Sequence, residues 1–178
     1  MRRAILVIPL ALLLLAGGCG GESQSAEEAW ADDLCSGAAE WRASLDGVAS
    51  ELLVSPDLSP ETVRSAVAET LEATEALADH LRTLRPPAGE AGEEAAAVAD
   101  ALATDIEALV EDVRAQLDSA GSLQELVAGL SDAIERIAGL GDELGDALEG
   151  LRGLEGGPAL LEAVEANEDC RVRGPGPR

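Results

Sequence analysis

Three cysteines (Cys19, Cys35 and Cys170) and a single histidine, His80, hold most of the reactive potential of this 178-residue chain. A thiol or hydroxyl nucleophile needs a base within hydrogen-bond reach. His80 follows Asp79 between the apolar positions Leu77 and Leu81, on the flank of a helical stripe, and reads as a surface or boundary histidine. Zinc needs about four Cys, His or carboxylate ligands. Lone cysteines with no CxxC and one distant histidine make a poor set. The acidic pairs Asp32-Asp33, Glu93-Glu94 and Glu111-Asp112 would suit calcium within a DxDxDG loop, and no such loop occurs, so they read as solvated helix faces. Trp30 and Trp41 could grip a ligand, but both fall on an apolar stripe and read as core. No GxSxG, Walker or dinucleotide loop is present. The residues therefore predict no catalytic, metal or cofactor-binding site, no cofactor, and a chain that is not an enzyme.

Cys19 has a different setting. Met1-Arg2-Arg3 is a cationic start, Ala4 to Leu15 is uncharged and apolar, and Ala16-Gly17-Gly18 are small. That order is a secretory signal. With about a dozen apolar residues and a Pro9, the run is shorter than the ~20 a membrane-spanning helix needs. The order ending in Gly18-Cys19 resembles the signals of bacterial lipoproteins, where a peptidase cuts before the cysteine and its sulfur takes a diacylglyceryl group. The usual Leu three residues before the cysteine is Ala16 here, with Leu15 one further back. The resemblance implies a signal peptide over 1–18, lipidation of Cys19, and a place on the extracytoplasmic face of the cell membrane. Plain secretion is the competing reading, since small residues also precede ordinary cleavage sites.

Lipidation would leave two cysteines, and Cys35 and Cys170 can pair in an oxidising compartment. The alternatives are a metal site or a reactive thiol. The chain is rich in Ala, Leu, Glu and Asp, lacks Phe and Tyr, and uses Arg for all 12 basic residues. Its formal net charge is −23, and losing Arg2 and Arg3 with the signal would bring it to −25. Such a chain does not bind nucleic acid through phosphates, and an anionic membrane surface repels it. The lipid must hold it there.

The rest reads as helices. Residues 19–25 form a flexible tether. Ser25 with Glu28 is a capping box for a first helix over about 26–53. Its stripe is Trp30, Leu34, Ala38, Trp41, Leu45, Val48 and Leu52. A turn at 55–58 precedes Ser59 as cap and Pro60 at the first position of a second helix, which Pro86-Pro87 ends. A third spans about 89–119, with Ala95, Val98, Leu102, Ile106, Leu109, Val113 and Leu117 as its stripe. Ser122 and Glu125 start a fourth, whose Leu123, Leu130, Ile137, Leu144 and Leu151 recur every seven residues. Its glycines need close helix approach to offset their cost, or the helix frays beyond Gly150. A short fifth helix over 158–168 brings Cys170 back to Cys35. The prediction is an all-α, antiparallel up-down-up-down four-helix bundle with a short fifth helix and one disulfide, over 26–170. Residues 171–178 read as a disordered Arg/Gly/Pro tail whose arginines could face anionic headgroups.

Trp30-Ala31-Asp32-Asp33-Leu34-Cys35, then Trp41 and Ser44-Leu45, resembles the start of small secreted or lipid-anchored helical proteins of actinobacteria. Leu81-Arg82-Thr83-Leu84-Arg85-Pro86-Pro87-Ala88 is similar to a leucine–proline loop of the same group, as is a cysteine after a short C-terminal helix. The resemblance implies the fold and no mechanism. The function expected is a non-enzymatic interaction or scaffold lipoprotein. Its partners are the membrane through Cys19, another cell-envelope protein, and no nucleic acid. The alternative is a carrier of an apolar ligand in a groove between helices.

Overall fold

The computed structural model describes residues 24–54 and 59–171. The expected signal peptide, Cys19, most of the tether, the 55–58 turn and residues 172–178 lie outside the described residues. Five α-helices and one short 3-10 turn follow one another: α1 Ala26–Val54, α2 Pro60–Thr83, α3 Glu90–Ser119, α4 Leu123–Gly150, the turn Leu151–Gly153, and α5 Gly157–Ala166. The fold is all-α, as predicted.

Each start is set by local chemistry. Ser25 and Glu28 make the reciprocal bonds of a capping box, N–H to side chain in both directions, at 2.8 and 3.1 Å. Ser59 Oγ accepts from the Thr62 N–H ahead of Pro60. Ser122 and Glu125 repeat the box on α4. The heptad pattern reaches Leu151, but α4 stops at Gly150 and Leu151 enters the 3-10 turn, fully buried. Gly156 then turns the chain with φ +85°, in the left-handed region that glycine adopts without a Cβ penalty.

The helices pack antiparallel in chain order: α1 on α2, α2 on α3, α3 on α4, while α5 lies on α1 and the 3-10 turn. Paired charges fix the α2–α3 register. Arg82 pairs with Glu107, and Arg114 is bidentate to Glu75. Arg136 of α4 reaches Asp112 of α3 at 3.0 Å. These exposed pairs set register more than they add stability. The core joins Trp30 and Leu34 of α1, Val67, Leu71 and Leu81 of α2, Ile106, Leu109 and Val113 of α3, Leu126 of α4, Leu151 and Leu160.

Two parts of the core differ from the expected stripes. In the first half of α3 the buried line is Ala91, Ala95, Ala99 and Ala103, while Val98 and Leu102 are half-buried. In α1 the buried residues end at Gly37, and Trp41, Leu45, Val48 and Leu52 are half-buried. The short α5 covers α1 near its start, which accounts for the difference along that helix. Gly37 marks a close α1–α2 approach: a Cβ there would run into the ring of His80. The glycines of α4 behave otherwise. Gly129 packs by Gln116, but Gly139 and Gly145 face open space, so close approach does not offset their cost.

Candidate functional site

The chemistry-bearing residues gather at the end of the bundle where α1 begins and α5 finishes. Cys35, on the second turn beyond Trp30, is fully buried, and it is joined to Cys170 with a Cα–Cα separation of 4.9 Å. The two are 135 residues apart in sequence. Around the bridge, polar groups stitch the last turn of α5 to α1. Asn167 Nδ2 donates to Asp32 Oδ1 and Arg42 donates to the Asp169 carbonyl, while Arg171 Nε folds back on α5 itself, donating to the Glu165 carbonyl at 3.2 Å. Asn167 Oδ1 in turn accepts from the Asp169 N–H at 2.8 Å.

His80 sits one helix away from this junction. Its Nε2 lies 2.7 Å from the Asp33 carbonyl, which can only accept, so Nε2 carries the proton and donates. The ring thus joins α2 to α1 opposite Gly37, and it is half-buried. The boundary position expected of it is the one it takes.

The two tryptophans divide. Trp30 is buried, with 2 % of its surface exposed, and its indole N–H has no hydrogen-bond partner. Trp41 is half-buried, and its Nε1 donates to Thr74 Oγ1 at 3.1 Å. Thr74 passes its own proton to the Thr70 carbonyl at 2.7 Å. Among the described residues Thr74 is the one buried polar side chain, and both its roles are filled inside the α1–α2 pair.

The acidic pairs do not converge. Asp32 bonds Asn167 and Gln24, Asp112 pairs with Arg136, and Glu93 and Glu94 are exposed. Among the described residues no group of three or more His, Cys, Asp or Glu is placed to hold a metal ion, and no helix is long and apolar enough to cross a membrane. Ion pairing and backbone bonds do hold several carboxyls below their ordinary value. The hydrogen bond from Arg114 lowers Glu75, that from Arg82 lowers Glu107, and that from Arg152 lowers Glu149. The Gly121 N–H, then Ser122, lowers Glu125.

A groove of about 660 Å³ runs along the α1–α5 seam. Glu27, Glu28 and Asp32 form one wall, and Glu162, Ala163 and Asn167 the other. Sequence reasoning did not find it. The signal was available only through the disulfide, because fixing Cys170 on Cys35 sets the last turn of α5 beside Asp32. Two further grooves of about 600 and 510 Å³ lie between α2 and α3, around Arg64 and Arg114 and around Glu107 and Glu111. No protein family, no curated protein and no solved structure matches this chain.

Proposed function

We propose that this chain is a lipid-anchored, extracytoplasmic helical-bundle protein that acts by interaction, as a scaffold or adaptor of the cell envelope, and not by catalysis. Cys19 would carry the lipid, in keeping with the likeness of its flanking residues to lipoprotein signals. The observation that supports the non-catalytic reading most is the interior. Its one buried polar residue among the described residues, Thr74, is spent within the helix pair, and the one buried polar atom left without a partner, the Trp30 indole N–H, is a donor only and can serve neither as a base nor as a nucleophile. The void between Val67, Val113 and Leu126 amounts to about 10 Å³, no more than one water's worth. That weighs against the second reading, a carrier of an apolar ligand, which needs several hundred Å³ of apolar space. The larger grooves are open and charged at their walls.

The test is detergent-phase partitioning of the wild-type chain and Cys19→Ser, followed by cross-linking in native membranes. The wild type should enter the detergent phase, and the variant should stay uncleaved or appear in the aqueous phase. Equal partitioning of the two would remove Cys19 as the anchor. Wild-type cross-links that match a chance sample of envelope proteins would remove the scaffold role.

A further inference from the structure

The two halves of α1 differ in their cover. Where α5 lies along it, α1 buries Trp30, Ala31, Leu34, Cys35 and Gly37. Beyond Gly37, where α2 is its main neighbour, none of its described residues is fully buried. The burial of the first half therefore depends on α5 staying in place.

Alone, α5 is a weak cover. It has 10 residues, fewer than the roughly 12–15 at which an isolated helix becomes marginally stable in water. Leu160 and Leu161 are buried, and two polar contacts join the segment to α1, Asn167 to Asp32 and Arg42 to the Asp169 carbonyl. Two leucines and two exposed polar contacts are small against the ordering of the whole helix. The bond from Cys170 to Cys35 makes up the difference by pinning the far end of α5 to α1. At the near end the chain turns at Gly156, whose φ of +85° suits a pivot without a side chain. The two sulfurs are not equally protected. Cys35 is fully buried, whereas Cys170 is half-buried between the exposed residues Asp169 and Arg171. A thiolate arriving from outside meets Cys170 first.

We propose that α5 is a lid over the first turns of α1 and that the Cys35–Cys170 bond is its reducible latch, opened by an external dithiol of the CxxC type. One thiolate of the dithiol attacks Cys170 Sγ. The Cys35–Cys170 bond breaks, and Cys35 leaves as a thiolate and takes up a proton. The second thiolate of the dithiol then attacks its own partner sulfur in the mixed disulfide. Cys170 is released as a thiolate and is protonated in turn. The dithiol ends as a disulfide, oxidised by two electrons, and the chain as two thiols. Unlatched, α5 swings about Gly156 and takes Leu160 out of the cluster that buries Trp30. The Trp30 indole N–H, which has no partner in the closed form, then meets water, and this favours opening. The stretch from Trp30 to Cys35 is hidden under oxidising conditions and uncovered where dithiols are present. The proposal rests neither on the lipid anchor nor on the scaffold role.

The test is hydrogen–deuterium exchange of the full chain in detergent, oxidised and after dithiothreitol, read on peptides from α5 and from α3. Oxidised, the two should be protected to within about tenfold of each other. Reduction should raise the ratio of α3 to α5 protection by at least ~100-fold, because α5 then opens by itself while α3 opens with the rest. The double variant Cys35→Ser/Cys170→Ser should show the high ratio with or without dithiothreitol, and its lasting α3 protection reports that the bundle is folded. A ratio unchanged by reduction, or already high in the oxidised chain, would overturn the lid. For the latch, a CxxC protein whose second cysteine is replaced by serine should be trapped on Cys170 of the native chain, as peptide mapping will show. Trapping on Cys35, or none until denaturant is added, would overturn the latch.

Discussion

At Gly37 a missing methyl group decides how closely two helices meet. The ring of His80 occupies the space where a Cβ would stand, and its Nε2–H is held by the Asp33 carbonyl one turn earlier. Gly37→Ala must push the ring off that bond or spread α1 from α2. Overpacking of this kind costs about 1–3 kcal/mol, measurable as a fall in the urea midpoint at unchanged slope. His80→Ala in the same background should recover most of the loss, and a double-mutant cycle with no coupling would refute the contact. Ionised residues give a second prediction. Glu75, Glu107, Glu125 and Glu149 titrate lower in the folded chain than the ordinary 4.5, through their bonds to Arg114, Arg82, Gly121 and Arg152. A depressed folded value means that the unfolded chain takes up protons first. The stability these groups add is therefore present above about pH 4.5 and is lost as pH falls below it. Denaturation midpoints should drop between pH 5 and 3, and Glu75→Gln/Glu107→Gln should flatten that slope. An unchanged slope would show that these bonds carry no linkage. Little of this was readable beforehand. The boundary position of His80 follows from its place beside the stripe, but its partner lies across a helix pair, and periodicity does not name partners.

Helix starts were the most legible elements, because their cause is local. Ser25-Glu28, Ser59-Pro60 and Ser122-Glu125 each satisfy the first free N–H groups with side chains three residues away or fewer, and all three caps form. The buried faces were less legible where side chains are small. In α3, alanines at 91, 95, 99 and 103 outrank Val98 and Leu102, since a neighbour that comes close can bury a methyl line more completely than a branched one. The fifth helix is too short to show a stripe of its own, so no face of it could be set against α1 beforehand, and the acidic groove between them went unseen. The α4 helix yields a prediction from an apparent flaw. Gly145 is exposed and faces open space. Gly145→Ala should stabilise the chain by about 0.5–1 kcal/mol, raising the thermal midpoint. A destabilised variant would mean that this face of α4 is covered in solution.

For the whole molecule, the decisive element is the bond between Cys35 and Cys170. It closes the rest of α1, all of α2, α3 and α4, the 3-10 turn and α5 into one loop with a sequence separation of 135. Cys170→Ser should lower stability by about 2–4 kcal/mol, and reducing agent should lower the wild type to the same midpoint while leaving the variant unmoved. A wild type indifferent to reductant would show that the thiols are not joined in solution. The same bond has a mechanical consequence. Tension applied between Gln24 and Arg171 passes through the first turns of α1, crosses the sulfur–sulfur link and leaves at once. The closed loop hangs beside that line of force and bears none of it. A chain held at Gln24 and tugged at Arg171 would thus extend by little more than a dozen residues before the disulfide took the load, and the helices inside the loop would feel none of it.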